Sequence, residues 1–396
     1  MTYTAAKRKL KLELIGMFPF VLLGRVAGHL FSLTTKHQVF LFFPNGDIGG
    51  SPQVNIDISN CIRKEKPLVI FSKKAGNNEF REKYNIEGVR VLDLHKYIDN
   101  KLLHFVNFFF RGVLSVWINK QENARVLGGE SIFFYKVIPH LKKHVHCVEI
   151  CHLTTWLPYS IGFIDRINYR VFSTEKLKEQ IEKQYRENNL PPHYFEKLFF
   201  IDNAIDIPEY LPINNKTLQV YFIGRGAVQK RVHLVAAIAK TVYEKQLPVT
   251  VNFVGDVENV IAVADFPFCK FYGNVKEEAV MKRIYAEADI LLLTSSYEGL
   301  PIVVMQMMAY GKVVIATAVN GIPDYIFNEE NGLLITATDE SDIVAEGVSH
   351  IERLLANPGL RLKLGKRSRD IAIQKFSREA FCKGYHTLLK LGANQL

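Results

Sequence analysis

Cysteine is scarce in this chain. Five residues, at positions 61, 147, 151, 269 and 382, are spread over 396, and no spacing resembles a zinc framework. Their odd number in so long a chain points to a reducing compartment, hence to the cytoplasm. Internal repeats, low-complexity tracts and signatures of RNA or DNA binding are also missing, so nucleic acid is the least supported partner. An uninterrupted apolar run of the roughly 20 residues that span a bilayer is lacking too. The stretch 14–33 is broken by Pro19, Arg25 and His29. Its first part, 14–24, has the length of a signal peptide's apolar region, but Arg25 follows directly and nothing downstream looks secreted.

What is present describes a globular protein. Hydrophobic residues make up 48% and charged residues 23%, which excludes a disordered chain, and the length suffices for two domains with separate cores. The net charge of +10 is one-sided. Residues 1–206 carry 29 Lys and Arg against 20 Asp and Glu (+9), and residues 207–396 carry 21 against 20 (+1). The front half therefore suits an anionic partner, such as a membrane surface or a lipid-linked phosphate. Residues 1–36 read either as an amphipathic segment, packed on the front domain or lying in a membrane interface, or as a core helix with a basic solvated end. The aromatic run 102–117 invites the same two readings, and a buried helix is the stronger.

Short runs rich in Val, Ile and Phe alternate with longer helical patterns. They fall at 39–43, 68–71, 89–92, 125–128, 147–150 and 170–173, and resume at 218–223, 250–254, 290–293, 313–317 and 332–335. Such alternation predicts α/β architecture with parallel sheets built from right-handed βαβ units. A Pro- and Asn-rich break over 188–217 separates two such sheets. Ligands of open parallel sheets bind beyond the carboxyl ends of strands, so chemistry belongs in the loops that follow them. After the first run, Gly49 and Gly50 form a strand-to-helix turn that lets backbone approach a phosphate or sugar. "YFIGRGAVQKRVHL" places Arg225 and Lys230 at a strand-to-helix turn, a planar fork and a point charge able to neutralise a diphosphate. "VEICHLTTW" puts His152 just past a strand, where it can donate a hydrogen bond to a substrate. "LLLTSSYEGLPIVVMQ" sets Glu298 where a carboxylate accepts from sugar hydroxyls. The free amides of Gly299, Leu300, Ile302 and Val303 face a phosphate there, Pro301 having none to give.

These motifs together resemble the GT-B glycosyltransferases, in the retaining branch of glycosyltransferase family 4 type that includes glycogen synthases and bacterial mannosyl- and glucosyltransferases. The resemblance covers nearly the whole chain and is strongest over 218–335. "FIGRGAVQKRVHL" looks like the family's diphosphate-binding turn, and "FYGNVKEEAVMKRIYAEADILLLTSSYEGLP" like the segment that cradles the base and reaches the sugar. It implies two Rossmann-like domains facing across a cleft: 1–206 for the acceptor, 207–375 for the nucleotide sugar, and a helix over 376–396 crossing back to the first. It implies that Arg225 and Lys230, with Gly50, Leu300 and Ile302, hold the donor diphosphate. Glu298 and His152 would act at the reaction centre, Glu298 and Gly299 would grip the sugar, Asn274 and Val275 the base, and the Gly49–Gly50 loop would close on phosphate and acceptor.

The implied activity is retaining transfer of a hexosyl-type group from a UDP- or GDP-sugar to a lipid-linked or surface glycan, as in lipopolysaccharide or capsule biosynthesis. It would occur in the cytoplasm or peripherally on the inner face of the membrane. The resemblance implies no cofactor and no metal, and the Asp-x-Asp of metal-dependent nucleotide-sugar enzymes is absent. One departure stands out: the second carboxylate of the family's Glu-x7-Glu motif, which holds ribose, falls on Gln306. That amide leaves room for a scaffold that binds without catalysing, and the fold leaves room for a nucleotide-sugar epimerase or hydrolase.

Overall fold

The computed structural model describes residues 2–31, 33, 35–100, 104–152, 157–172, 174–210 and 215–391. The chain divides into two compact units, Met1–Ala204 with Phe381–Leu396, and Ile205–Ala380. Part of the expected linker, 211–214, lies outside the described residues.

The first unit holds a seven-stranded parallel sheet. Its strands are β1 (Val39–Phe43), β2 (Leu68–Phe71), β3 (Arg90–Asp93), β4 (Arg125–Gly128), β5 (His146–Cys151), β6 (Tyr169–Phe172) and β7 (Leu198–Phe200), in the order β3-β2-β1-β4-β5-β6-β7. β1 lies inside the sheet, between β2 and β4, and is buried along its length. Phe40 and Phe42 enter one core with Phe133 and Phe134. Val39, Leu41 and Phe43 enter the core on the other face, with Phe381, Tyr385 and Leu388 of the helix Arg378–Leu388. Burial on both faces is why this strand reads as an unbroken apolar run, without alternation.

Arg125 donates to the carbonyls of Leu389 (2.5 Å) and Lys390 (2.7 Å), and His146 Nε2 to that of Leu388 (2.7 Å). These bonds satisfy carbonyls that a helix end leaves open. Cys61 and Cys382 form a disulfide, with Cα atoms 5.2 Å apart across 321 residues of sequence. The scattered spacing of the cysteines did not announce this pair, because it is made by the return of the chain.

At the start of the chain, two helices replace the single segment expected. Tyr3–Gly16 and Phe18–Leu30 are separated at Met17, with Pro19 in the first turn of the second, where its missing N–H costs nothing. The second helix packs on the helix His104–Asn119. Among the described residues, no helix is long and apolar enough to cross a membrane.

The second unit carries a six-stranded parallel sheet in the order β10-β9-β8-β11-β12-β13. Its strands are β8 (Leu218–Ile223), β9 (Val249–Val254), β10 (Lys270–Phe271), β11 (Ile290–Leu293), β12 (Val313–Thr317) and β13 (Leu333–Ile335). Both sheets reverse direction beside their first strand. That places a topological switch point at the carboxyl ends of β1 and β4 in one unit, and of β8 and β11 in the other.

Candidate functional site

In the second unit, Arg225, Lys230 and Glu298 lie on the two turns at the switch point. Ile290 and Leu291 of β11 pair with Val220 and Tyr221 of β8, so the turns leaving these two strands are neighbours. Lys230 Nζ and Glu298 Oε1 form an ion pair there, with side chains only 12% and 8% exposed. Their burial distinguishes the pair from ordinary surface contacts, which contribute little. Gln229 Nε2 donates to the carbonyl of Tyr297 (2.6 Å), and the amide of Ser296 donates to that of Gln229 (2.8 Å). Arg231 donates to the carbonyls of Thr294 (2.6 Å) and Ser295 (3.0 Å). Its backbone is left-handed, φ 43°, a conformation uncommon outside glycine; it ends the turn and starts the helix Val232–Glu244. Gln229 and Arg231 thus fix the loop on which Glu298 sits. Sequence reading passed over both, because their partners are carbonyls about 63 to 68 residues away.

Arg225 is exposed at the tip of the same turn. The Gly226 amide donates to Asp256 Oδ1 (2.9 Å), and that bond is the main cause holding the Asp256 carboxyl below its usual range. Gly226 is required here, since a Cβ would sit 2.2 Å from the Asp256 carbonyl oxygen. The base-binding candidates Asn274, exposed, and Val275, half-buried, follow Gly273, whose carbonyl accepts the Gly255 amide at 2.8 Å. The helix Ile302–Ala309 begins after Pro301, whose carbonyl takes the amides of Val304 (2.9 Å) and Met305 (3.3 Å). The first-turn amides of Ile302 and Val303 have no intrahelical partner. Leu300 is half-buried and Ile302 63% exposed. The Glu298 carbonyl, beside Gly299, accepts the Gly321 amide at 3.2 Å. Gln306 is half-buried one turn into the helix.

The first unit has its own cluster at its switch point. Gly49 caps the helix Gly50–Cys61, and both glycines are exposed. Glu130, just past β4, accepts from Ser51 Oγ and from the His152 amide, each at 3.3 Å. It therefore joins the turns that follow β1 and β5. Burial pushes the Glu130 carboxyl up, against the lowering effect of those two bonds. Burial also lowers His152 to about 4, so its imidazole is neutral near pH 7, and its Nε2 has no hydrogen-bond partner among the described residues. Glu130 was not nominated from sequence. The signal was available, because Gly128 and Gly129 precede it as a glycine pair at a strand end, like Gly49 and Gly50.

With this geometry described, the relatives can be placed. Residues 204–371 match the family described as "Glycosyl transferases group 1". That match covers less than half of the chain and is a similarity of this segment to the family. The segment contains every nominated residue of the second unit. An uncharacterized glycosyltransferase of Methanocaldococcus jannaschii is 22% identical over 215 residues, 53% of this chain and 54% of that one. The lipopolysaccharide core biosynthesis glycosyltransferase LpsE of Rhizobium meliloti is 33% identical over 105 residues, 26% of this chain and 29% of that one. The match thus spans about half the length of the first relative and less of the second. The crystal structure of Anabaena HepE in complex with UDP and glucose superposes with a TM-score of 0.63 at 17% identity, covering 89% of this chain and 100% of that one. The fold is accordingly GT-B, with two Rossmann-like parallel-sheet domains.

Proposed function

We propose that this protein is a glycosyltransferase that moves a sugar from a UDP- or GDP-sugar to a hydroxyl of a lipid-linked or surface glycan, with retention and without a metal. The carrying observation is the Lys230–Glu298 pair, held at the switch point by Gln229 and Arg231. Donor binding would part the two: the diphosphate takes Lys230 and Arg225, and Glu298 accepts from the sugar hydroxyls. The open amides of Ile302 and Val303 supply further donors to the phosphates. These groups stabilise charge on the leaving diphosphate, the role a metal fills elsewhere. The acceptor half falls to the first unit, where the Gly49–Gly50 turn and a neutral His152 donate or accept hydrogen bonds without adding charge. LpsE, a lipopolysaccharide core enzyme by its name, supports a surface-glycan acceptor, and HepE, solved with UDP, supports a uridine nucleotide.

Calorimetric titration with UDP and GDP, followed by product analysis with and without a glycan acceptor, tests the reading. Saturable binding of one nucleotide and acceptor-dependent transfer, both lost in Arg225→Ala and Lys230→Ala, are expected. Full activity in both variants sinks the site assignment. Gln306 favours a second reading, a scaffold that binds without catalysis, which predicts binding or its absence but no transfer with any acceptor.

A further inference from the structure

The two helices at the start of the chain expose apolar side chains that no described residue of the first unit covers. Helix Phe18–Leu30 is pressed on helix His104–Asn119 through glycine. A Cβ on Gly24 would lie 1.9 Å from the Phe109 carbonyl oxygen, and one on Gly112 2.2 Å from that of Val21. Contact this close commits the Val21, Gly24 and Gly28 face inward. The opposite face carries Leu22, Leu23, Val26 and Leu30, between 45% and 74% exposed, and helix Tyr3–Gly16 adds Leu12 (72%) and Ile15 (65%). An apolar surface of this kind marks an interaction site.

The charges around it select the occupant. Residues 1–36 carry six Lys and Arg against one acid, Glu13, and Glu13 is already neutralised by Arg111 (3.1 Å) and Lys136. Arg8 and Lys11 are exposed and stand one helical turn from Leu12 and Ile15, so cations and aliphatics share a surface. At the far end, the Trp117 indole donates to the Phe31 carbonyl (2.8 Å) beside a depression of about 480 Å³ that Lys36 also lines. Tryptophan and lysine are the residues that sit at the headgroup level of a bilayer. A second copy docking through this face would bring its own cations to a surface whose single acid, Glu13, is already paired, so it offers no charge complement.

We infer that residues 3–31 dock on the surface of an anionic bilayer, with the aliphatic face in the headgroup–acyl boundary and Arg8 and Lys11 on lipid phosphates. Neither helix spans the bilayer. The docking is independent of the sugar-transfer reading and holds or fails without it.

Flotation of the full chain with phosphatidylcholine vesicles, with and without phosphatidylglycerol, at low and high salt, tests the docking. Binding that requires phosphatidylglycerol and weakens with salt is expected. Each basic residue near an anionic surface contributes about fivefold, so Arg8→Gln with Lys11→Gln lowers partitioning about 25-fold. Leu23→Glu with Val26→Glu removes flotation, and thermal unfolding and UDP affinity stay at wild-type values, which separates this test from that of the donor site. No flotation with anionic vesicles at low salt, or flotation unchanged in either variant, overturns the proposal. So does a dimer in sedimentation that the Leu23/Val26 variant dissociates, because the face then belongs to a second copy.

Discussion

Lys230 and Glu298 hold one another in a nearly water-free site, so removing either leaves a charge without a partner. Lys230→Ala should therefore cost about 3 kcal/mol of stability as well as donor affinity, and the double change with Glu298→Gln should cost much less than the two single changes summed. Denaturant unfolding of the four proteins checks it, and strict additivity would show that the pair is not coupled. Gln306 poses a milder question. An amide keeps one acceptor oxygen and loses the charge, and a charged acceptor strengthens a hydrogen bond by about 1 kcal/mol. Gln306→Glu should thus tighten or retune donor affinity by roughly fivefold and leave turnover at saturating donor almost unchanged; a large gain in turnover would refute it. The nominated charges were legible in sequence because each stands in a segment that joins a strand to the next helix. Gln229 and Arg231 were not, because their roles arise from partners that only the strand order brings near, whereas Glu130 was passed over although the glycine pair before it marked a strand end.

Elements were legible where burial made them apolar on both faces, as in β1, β8 and β12. β10 has only two residues and β7 is a half-buried edge of three, so neither leaves a run long enough to notice. The opening helical hairpin shows a different limit: Pro19 announced a break, but nothing in the hydropathy pattern announced that Gly24 and Gly112 would meet backbone to backbone. That contact makes a sharp prediction. Gly24→Ala should destabilise the first unit by about 2 kcal/mol, since the 1.9 Å approach to the Phe109 carbonyl forces the helices apart. Gly16→Ala, where a Cβ meets nothing within 4 Å, should be neutral or slightly stabilising. Equal melting of both variants would mean that the hairpin does not pack on helix His104–Asn119.

Across the whole molecule, half-buried histidines with lowered pKa gather in the first unit. Burial is the largest cause at His140 and His152, each lowered to about 4, and at His146, where the bond to the Leu388 carbonyl opposes it. A histidine that is neutral when folded contributes stability above its unfolded pKa, near 6.5, and loses it as pH falls toward the folded value. Between pH 6.5 and 4.5, His140 and His152 should each remove about 2 kcal/mol. Glu130 runs the other way. Its raised folded pKa makes the ionised form costly, so acid relieves that cost while the histidines lose ground. Two histidines outweigh one carboxyl, and the first unit should open before the second as pH drops. Hydrogen exchange at pH 6.5 and 4.5 reads this directly: protection should fall in β1, β4 and β5 well before β8, β11 and β12. His152→Gln should blunt the fall, and Glu130→Gln should steepen it by deleting the opposing carboxyl. If both sheets lost protection together, these histidines would not be what makes the first unit acid-sensitive.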